Sequence, residues 1–460
     1  MYQIDFEKPA SVHFIGIGGI SMSGLAEVLL SKGFRISGSD SAVSSLTDHL
    51  KDAGAIVYEG QRASNLTDDV EVVVYTAAVH KDNPELAEAI RRGLPVLTRA
   101  ELLGQMMRNY SEAVAIAGTH GKTTTTSMVT EILLAAKMDP TISVGGILHS
   151  IDGNIRIGHS GCFVTEACEY TNSYHSFFPT MEIILNIRAD HLDFFKDLED
   201  IRRSFRTFAG LLPETGLLII NADIPDYREL MADIKCRMVT FALESLEADY
   251  RAEKIHYNEE GHASFDVIRR GERVGHVDLG VPGEHNVTNA LAAVAAAEAL
   301  GVAWKDMERG LDGYRGTERR FEVKGELGGV TVVDDYAHHP DEILATLRTA
   351  RRLHKKKLWC VFQPHTYTRT KALMGEFAEA LSLADEVILA KIYPARETDT
   401  LGISSADLAA RLEKLGKKVH YFESFDEIEQ FLLTALVPGE LLITMGAGDV
   451  VKIGENLLGQ

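Results

Sequence analysis

Short apolar runs followed by a glycine-rich or polar turn and then an amphipathic stretch recur along the whole chain. Clear examples are SVHFIGIGGISMSGLAEVLLSKGFRISGSD near the beginning, AVAIAGTHGKTTTTSMVTEILLAAK in the middle and GGVTVVDDYAHHPDEILATLRTA towards the end. Each predicts a buried strand, a loop and a helix that covers a sheet. Strands that alternate with helices are typical of parallel sheets, so we predict an α/β fold with doubly wound sheets.

The chain is too long for one compact core. At about 150 residues per domain, 460 residues predict about three domains. We place a Rossmann-like domain at residues 1–107, a central phosphate-loop domain at 108–322 and a second Rossmann-like domain at 323–460. Strand–loop–helix units restart in each of them.

The central stretch has the layout of a phosphate-binding loop. Gly118 and Gly121 allow the backbone to curl close to an anion, and the helix that follows directs free N–H groups towards it. Lys122 adds a cation that can reach a terminal phosphate, and the hydroxyl of Thr123 or Thr124 is placed to bind Mg²⁺. The spacing G-x-x-G-K-T is two residues shorter than the usual motif. We predict ATP or GTP binding here, the alternative being an ordinary glycine turn.

Composition and charge restrict the possible partners. Hydrophobic residues make up 45% of the chain, the formal net charge is −20 and the sequence pI is about 5.3. An acidic surface argues against general nucleic acid binding, so local positive groups must meet any nucleotide.

Cysteine usage and hydropathy favour a reduced cytoplasm. The four cysteines show no C-x-x-C spacing, so we predict neither a disulfide framework nor a zinc site. No apolar run approaches the roughly 18 residues that span a membrane, and Asp5 and Glu7 stand where a secretory signal carries basic residues. We expect a cytoplasmic protein without membrane association, as a monomer or homodimer.

The first domain opens with a second glycine turn. Gly16, Gly18 and Gly19 allow the close approach of a diphosphate, but Ser21 stands where the NAD fingerprint has a third glycine or alanine. Asp40, at the end of the next strand, is placed to bind a ribose or to cap a turn. A nucleotide diphosphate is the favoured ligand, and a structural turn is the alternative.

In the central domain, polar groups follow two predicted strands. One strand leads to Glu166 and Glu169, and EIILNI leads to Asp190 and His191. Because such groups at the carboxyl ends of parallel strands face the ligand crevice, carboxylate and imidazole are reasonable Mg²⁺ ligands there. Taken singly, a helix cap or an ordinary hydrogen-bonding histidine is the alternative.

Further candidates follow in the second half of the chain. Asn286 and Asn289 open an alanine-rich helix and either face the cleft or cap the helix. Arg319 and Arg320 lie in a connector and meet either phosphate or solvent. The loops of the third domain collect charged and hydrogen-bonding groups at one sheet edge: Asp334, Asp335, Tyr336, His338, His365, Arg369 and the turn from Gly446 to Asp449.

With these residues in view, the sequence resembles the Mur ligases, ATP-dependent enzymes that add amino acids to the muramic acid nucleotide precursor of the bacterial cell wall. Within the family it is most similar to the branch that adds L-alanine to UDP-N-acetylmuramate. Seven segments match in order over nearly the whole chain: HFIGIGGISMSGLAEVL, GTHGKTTTT, NIRADHLD, GEHNVTNA, DDYAHHP, FQPHTYTRT and MGAGD.

The resemblance implies roles for particular residues. Those expected to hold the UDP sugar are Gly16, Gly18, Gly19, Ser39 and Asp40. Those expected to bind ATP are Gly118, Thr119, His120, Gly121, Lys122, Thr123, Thr124, Asn286, Arg320 and Asp335. Thr123, Glu166 and His191 would surround Mg²⁺, Lys122, Glu166 and His191 would be catalytic, and His338 and Arg369 would receive alanine.

The chain also departs from the family pattern. Relatives commonly read EADESD where this chain has EACEYTNS, so Glu166 is kept while the acidic residues just after it change. Relatives commonly carry arginine where this chain has Thr366. Later family members have a carbamylated lysine after the metal histidine; its counterpart by counting is Arg206, which fits the alanine-adding branch.

Three alternatives remain open from the sequence. A related ligase would attach a tripeptide or another amino acid to the same sugar nucleotide. An oxidoreductase would rest only on the first glycine turn. A non-catalytic nucleotide sensor or scaffold is disfavoured by Lys122, Glu166 and His191 being present together.

Overall fold

Three sheets follow one another along the chain. The computed structural model describes residues 2–76, 78–395 and 397–460. Parallel strands dominate each sheet and helices cover the faces, which confirms the predicted α/β class.

The first sheet has five parallel strands in the order β3-β2-β1-β4-β5. Its strands are β1 (Ser11–Ile15), β2 (Arg35–Asp40), β3 (Ile56–Glu59), β4 (Val72–Tyr75) and β5 (Val96–Thr98). Its helices are α1 (Ile20–Ser31), α2 (Ser45–Asp52), α3 (Pro84–Arg92) and α4 (Arg99–Met107). The strand order reverses between β1 and β4, so the glycine turn after β1 opens at the switch point, where doubly wound folds bind ligands.

The central sheet has ten strands in the order β15-β14-β13-β12-β11-β10-β6-β9-β7-β8. Its strands are β6 (Glu112–Ala117), β7 (Thr141–Leu148), β8 (Gly153–Arg156), β9 (Cys162–Ala167), β10 (Met181–Ile184), β11 (Leu217–Asn221), β12 (Arg237–Ala242), β13 (Tyr250–Tyr257), β14 (His262–Arg269) and β15 (Glu272–Pro282). Its helices are α5 (Lys122–Ala135), α6 (Leu198–Ala209), α7 (Tyr227–Leu230), α8 (Glu284–Ala299) and α9 (Trp304–Gly313). β6 lies between β10 and β9, so the loop after β6 is flanked by the ends of both.

The third sheet has six strands in the order β16-β17-β21-β18-β19-β20, and only β16 runs antiparallel to its neighbour. Its strands are β16 (Glu322–Leu327), β17 (Val330–Asp335), β18 (Leu358–Phe362), β19 (Glu386–Leu389), β20 (Lys418–Tyr421) and β21 (Leu441–Met445). Its helices are α10 (Pro340–Arg352), α11 (Tyr367–Ala372), α12 (Met374–Leu381), α13 (Ser405–Lys414), α14 (Phe425–Ala435) and α15 (Val451–Leu458). Short 3₁₀ helices cover Ala63–Asn65, His149–Ile151 and Tyr170–Ser176.

Local sequence explains where several helices begin and end. Asn83 caps α3 through its side chain, Pro84 occupies the first turn, and Gly93 ends the helix in the left-handed region. At α10, His339 caps the helix and Pro340 follows it. These signals fix the start of the two helices independently of the rest of the fold.

The first and central sheets share a continuous core. Tyr110, just after α4, stacks on Phe163 of β9 with ring centroids 5.0 Å apart. A Cβ added to Gly104 in α4 would lie 1.9 Å from the carbonyl oxygen of Ser176, so α4 touches the 3₁₀ helix over 170–176 backbone to backbone. The helix α4 of the first domain is thereby fixed against the central domain. Across the described residues, no helix combines the length and apolarity needed to cross a bilayer.

Candidate active site

The loop between β6 and α5 has a conformation that its glycines permit. Gly118 has φ +146° and Gly121 has φ +87°, in the region that favours glycine. A Cβ on Gly121 would also lie 2.7 Å from the side-chain oxygen of Asn289, and one on Gly118 would lie 2.9 Å from Leu185. Both glycines are therefore needed for this loop, which leads directly into the first turn of α5.

Asn186, which the sequence analysis did not single out, holds the loop in place. Its side-chain oxygen accepts a hydrogen bond from the His120 N–H at 2.9 Å, and its amide donates to the His120 carbonyl at 2.9 Å. Its own carbonyl accepts from Thr119 N–H at 3.1 Å. The signal that could have found it is an amide residue just beyond the buried strand β10, beside the phosphate loop.

Lys122 is held by a carboxylate and by the loop itself. Its Nζ donates to Glu169 Oε2 at 3.0 Å, to the Thr119 carbonyl at 3.1 Å and to the Gly118 carbonyl. Burial alone would lower the pKa of Lys122, but the Glu169 carboxylate raises it above its usual value. The lysine is therefore a cation in the site, paired with Glu169 rather than exposed to solvent.

Glu166 and His191, two of the predicted metal ligands, reach the same site from β9 and from the loop after β10, the two strands that flank β6. Glu166, in β9, accepts a hydrogen bond from Gly145 N–H. His191 Nε2 lies 3.9 Å from Glu169 Oε1 and 3.7 Å from Asp190 Oδ2. Oxygen and imidazole ligands therefore converge close to Lys122, where a divalent cation would accompany a triphosphate.

The start of α8 forms another side of the site. Asn289 donates to the side-chain oxygen of Asn286 at 3.0 Å, and Asn286 donates to the Pro282 carbonyl at 2.7 Å. Thr123 is buried and Thr124 half-buried in the first turn of α5. Both asparagines and both threonines line one cavity of about 590 Å³ between the central and third sheets.

Most of the residues predicted to bind ATP share that cavity. The predicted residues along its walls are Thr119, His120, Gly121, Lys122, Thr123, Thr124, Glu166, His191, Asn286, Arg320, Asp335 and His338. Gly118 lies one residue before this wall. Arg369 reaches the site through Asp190, as described below.

Arg320 and Asp335 enter the site from the third sheet, but Arg319 does not. Arg320 lies over the ring of Tyr336, with its guanidinium carbon 5.2 Å from the ring centre. Burial raises the pKa of Asp335 to about 6, although Arg320 lowers it. Arg319 instead donates to buried Asp334 at 3.0 Å and to the Gly446 carbonyl at 2.7 Å. Of the two arginines in the connector, only Arg320 faces the cavity.

The residues expected to receive the amino acid meet at the boundary between the central and third sheets. Arg369 pairs with Asp190 at 3.2 Å and contacts His365. The Nδ1 of His338 lies 3.0 Å from the Tyr336 carbonyl, so this nitrogen carries the proton and Nε2 is left as an acceptor. Burial lowers the pKa of His338 to about 4, so its ring is neutral at neutral pH.

Glu342, which the sequence analysis also missed, joins the third sheet to the phosphate loop. Its Oε1 lies 3.1 Å from His120 Nδ1, and its Oε2 accepts from His338 N–H at 3.1 Å. His339 beside it lies 3.0 Å from the Ala189 carbonyl through Nε2. The start of α10 is thus hydrogen-bonded to the central domain at two points, His120 and the Ala189 carbonyl.

In the first sheet, the glycine turn is closed by Asp40. Gly16 has φ +84°, and Asp40 Oδ2 accepts a hydrogen bond from Gly18 N–H at 2.8 Å. In this structure Asp40 therefore caps the glycine turn, which was the alternative to binding a ribose. The Ser39 side chain is fully buried and donates to Glu85 Oε2 at 2.6 Å, while its carbonyl accepts from the Gly16 N–H at 2.8 Å, so its part in holding the UDP sugar stays a prediction. Gly19, at the N-cap of α1, has no side chain that could accept a hydrogen bond from the first turn of the helix.

The counterpart assigned to the carbamylated lysine lies away from this chemistry. Arg206 is exposed on α6 and pairs with Asp233. It contributes nothing to the cavity walls.

A three-sheet α/β protein with a lysine-bearing phosphate loop, acidic strand ends and an arginine at a domain boundary has the architecture of an ATP-dependent ligase. Sequence family models agree along the chain: "Mur ligase family, catalytic domain" matches residues 11–111, "Mur ligase middle domain" matches 116–297, and "Mur ligase, glutamate ligase domain" matches 319–448. The chain belongs to the Mur ligase family.

Its relatives include enzymes of one specificity. It is 59% identical over 458 residues to UDP-N-acetylmuramate–L-alanine ligase of Lachnospira eligens and 56% identical over 458 residues to the enzyme of the same name from Agathobacter rectalis. Both alignments cover 100% of each chain.

Solved structures extend the likeness. UDP-N-acetylmuramate-alanine ligase of Thermotoga maritima has a TM-score of 0.80 at 31% identity, with 98% of each chain covered. A murein peptide ligase from Psychrobacter arcticus has a TM-score of 0.70 at 25% identity, again with 98% of each chain covered.

Proposed function

We propose that this chain joins L-alanine to the lactyl carboxylate of UDP-N-acetylmuramate while ATP is cleaved to ADP and phosphate, a step in peptidoglycan precursor synthesis in the cytoplasm. The observation that carries the proposal is the meeting, around one cavity, of Lys122, the acidic end of β9 and the Arg369–Asp190 pair. The names and full-length coverage of the relatives support the choice of substrates.

The first chemical step is activation of the acid. A carboxylate is a poor electrophile, so its oxygen attacks the γ-phosphorus of ATP, the bond from that phosphorus to the β,γ-bridging oxygen breaks, and an acyl phosphate and ADP result. Lys122 follows the transferring phosphoryl group and offsets its charge, which requires the ammonium to leave Glu169 for the triphosphate. Asn186 keeps the loop N–H groups aimed at the phosphates throughout.

A divalent cation fits the residues beside Lys122. Glu169 Oε1 is buried and, among the described residues, has no hydrogen-bond partner, while His191 Nε2 lies 3.9 Å away. An unpartnered acceptor next to an imidazole suits Mg²⁺, with Thr123, Glu166 and His191 as the residues that would hold it. When bound, Mg²⁺ supplies positive charge at the phosphate oxygens.

The second step joins the amine. The carboxylate of alanine binds Arg369 in exchange for Asp190, and neutral His338 offers Nε2 to the amine. The deprotonated amine attacks the acyl carbon, and phosphate leaves from the tetrahedral intermediate. Asn286, Arg320 and Asp335 hold the adenosine end and the phosphates of ATP. The hydrogen bonds of Glu342 and His339 keep water out by closing the third domain over the second.

Phosphate release from ATP tests the proposal. With UDP-N-acetylmuramate, ATP and Mg²⁺, we expect release to depend on both L-alanine and the sugar nucleotide, and to be weaker with glycine, serine or a preformed tripeptide. Tripeptide preferred over alanine would favour the specificity of the murein peptide ligase instead. Equal release without sugar nucleotide would overturn coupled ligation.

Lys122→Ala should lower turnover at least about 100-fold, because a charge at the transferring phosphoryl group is lost. Binding of UDP-N-acetylmuramate should persist, which shows that the variant is folded. The control is Lys196→Ala, which alters an exposed lysine in the loop before α6 of the central domain. A variant that retains full turnover would contradict the role of the loop.

A further inference from the structure

Arg99 is a partly buried cation with no carboxylate partner in the described part of the chain. It is the first residue of α4, and its guanidinium donates to Ser21 Oγ at 3.0 Å. Among the residues that the structure describes, no Asp or Glu side chain forms an ion pair with it. Burial lowers the pKa of Arg99, which reflects the cost of withdrawing an unpaired charge from water. Buried arginines are normally paired, so an arginine left in this state indicates an anionic ligand.

The acidic side chain closest in sequence is occupied elsewhere. Glu101 Oε2 accepts hydrogen bonds from Thr98 N–H at 2.7 Å and from Thr98 Oγ1 at 2.9 Å, as part of the capping box of α4. The close contact of Gly104 with Ser176 fixes α4 against the central domain. Arg99 therefore cannot relieve its charge by a simple shift of its helix.

The start of α1 lies next to this guanidinium. Ser21 belongs to the first turn of α1, Gly19 caps that helix without a side-chain hydrogen bond, and no acidic residue stands in the turn. The N–H groups and dipole of such a turn attract phosphate. Ser21 is also the residue that replaces the third glycine or alanine of the dinucleotide fingerprint. A glycine or alanine there could not accept the hydrogen bond that Arg99 donates to the Ser21 hydroxyl.

We infer that Arg99 binds the diphosphate of the sugar nucleotide, which sits on the first turn of α1 and is clamped from the side by the guanidinium. The inference rests on the proposed function and adds a binding residue to it. The planar guanidinium can donate two parallel hydrogen bonds to phosphate oxygens, which a lysine cannot reproduce.

The position also suits the reaction. Gly104 of α4 packs against the Ser176 backbone of the central domain, so the helix that begins at Arg99 lies along the boundary between the first and central domains. A diphosphate bound at Arg99 would therefore lie beside the boundary that the sugar and its acid must cross to meet the γ-phosphate at Lys122.

Calorimetric titration of the full-length protein tests this assignment. Arg99→Met should weaken UDP-N-acetylmuramate and UDP-N-acetylglucosamine equally, by roughly 10- to 100-fold, because both carry the diphosphate. Uridine and ATP should bind as they do to the unaltered protein. Arg99→Lys should give an intermediate loss, and Ser21→Ala a smaller one. In turnover, the KM for the sugar nucleotide should rise while kcat at saturation changes little.

The control is Arg91→Met, which removes an exposed arginine paired with Glu88 in the same domain. Unchanged affinity for both sugar nucleotides in Arg99→Met would overturn the inference. Loss for UDP-N-acetylmuramate alone would also overturn it, because the arginine would then bind the lactyl carboxylate. A similar loss for ATP together with a lower melting temperature would indicate a structural role. Failure of the unaltered protein to release phosphate with alanine would instead refute the proposed function, and the titrations would still test Arg99.

Discussion

Two cationic side chains serve the two glycine turns of this molecule, and they are held differently. At the central loop, Lys122 donates to Glu169 at 3.0 Å and to two backbone carbonyls. At the first turn, Arg99 donates only to the Ser21 hydroxyl among the contacts that the structure describes. One charge is neutralised inside the protein, and the other is left for a ligand.

The difference predicts different energetics of binding. A triphosphate must separate Lys122 from Glu169 before it gains the lysine, so part of its binding free energy is spent on that exchange. A diphosphate at Arg99 meets a cation that is already partly desolvated and has no ion pair to break among the described residues, so preorganisation favours it. The empty protein is stabilised by the first arrangement and destabilised by the second.

The largest effect is expected from Glu169→Gln, which leaves Lys122 without a carboxylate partner, as Arg99 is among the described residues. Lys122 then becomes a buried cation without a carboxylate, and we expect the free energy of unfolding of the empty protein to fall by about 3 kcal/mol. ATP added without Mg²⁺ should stabilise the variant more than the unaltered protein, because no ion pair has to be broken. Urea unfolding with and without ATP measures both effects.

Glu199→Gln is the matched control, since Glu199 is exposed and lies 3.7 Å from Arg202. It should change stability far less. Glu169→Gln could instead be as stable as the unaltered protein and gain no more stability from ATP. The Lys122–Glu169 ion pair would then contribute nothing to the free energy of unfolding, and Lys122 and Arg99 would not differ in this respect.

Sequence patterns predicted the central phosphate loop better than the site around Arg99. The central site could be predicted from the sequence because Gly118, Gly121 and Lys122 lie within five residues, between an apolar strand and a helix. The loop glycines adopt positive φ and the strand ends converge, as the alternation of strands and helices indicates.

What the sequence did not show depends on contacts between distant segments. Arg99 and Ser21 are 78 residues apart, and the Glu342 carboxylate meets His120 across 222 residues. Ser39 was expected to hold the UDP sugar because of the family resemblance alone. The orientation of its side chain is set by Glu85, 46 residues later. Which partner a polar side chain finds is decided by strand order and helix placement, which local patterns do not contain.

A second test uses a buried ionisable group that has neither a partner nor a ligand. Glu182, in β10, is fully buried, and neither carboxylate oxygen has a hydrogen-bond partner among the described residues. Burial raises the pKa of Glu182 well above 4.5, so the folded protein keeps it protonated. Where the pH lies above the pKa of the unfolded chain, unfolding releases this proton, and stability falls as pH rises until the pKa of the folded state is reached.

Glu182→Gln removes that dependence. Relative to the unaltered protein, the free energy of unfolding of the variant should rise by about 1.4 kcal/mol for each pH unit above roughly 4.5, up to the pKa in the folded state. Urea unfolding at several pH values measures the difference, and Glu199→Gln should follow the unaltered protein. A constant difference across pH would mean that Glu182 is ionised in the folded protein, and that an unpartnered buried charge is tolerated here without a ligand.

The smallest expected effect comes from giving Arg99 a partner. Cys168→Asp restores the aspartate that the family commonly has at this position, close to both Arg99 and Lys122. The new carboxylate is attracted by two cations and repelled by Glu169, so we expect a net gain of about 1 kcal/mol in the stability of the empty protein. Affinity for UDP-N-acetylmuramate should fall about fivefold, since the diphosphate must then compete for the guanidinium. Calorimetric titration measures the affinity, and Cys168→Ser, neutral and similar in size, should leave it unchanged. An unchanged or higher affinity in Cys168→Asp would show that Arg99 does not need to be unpaired to bind its ligand, and the contrast between the two cations would then describe only the empty protein.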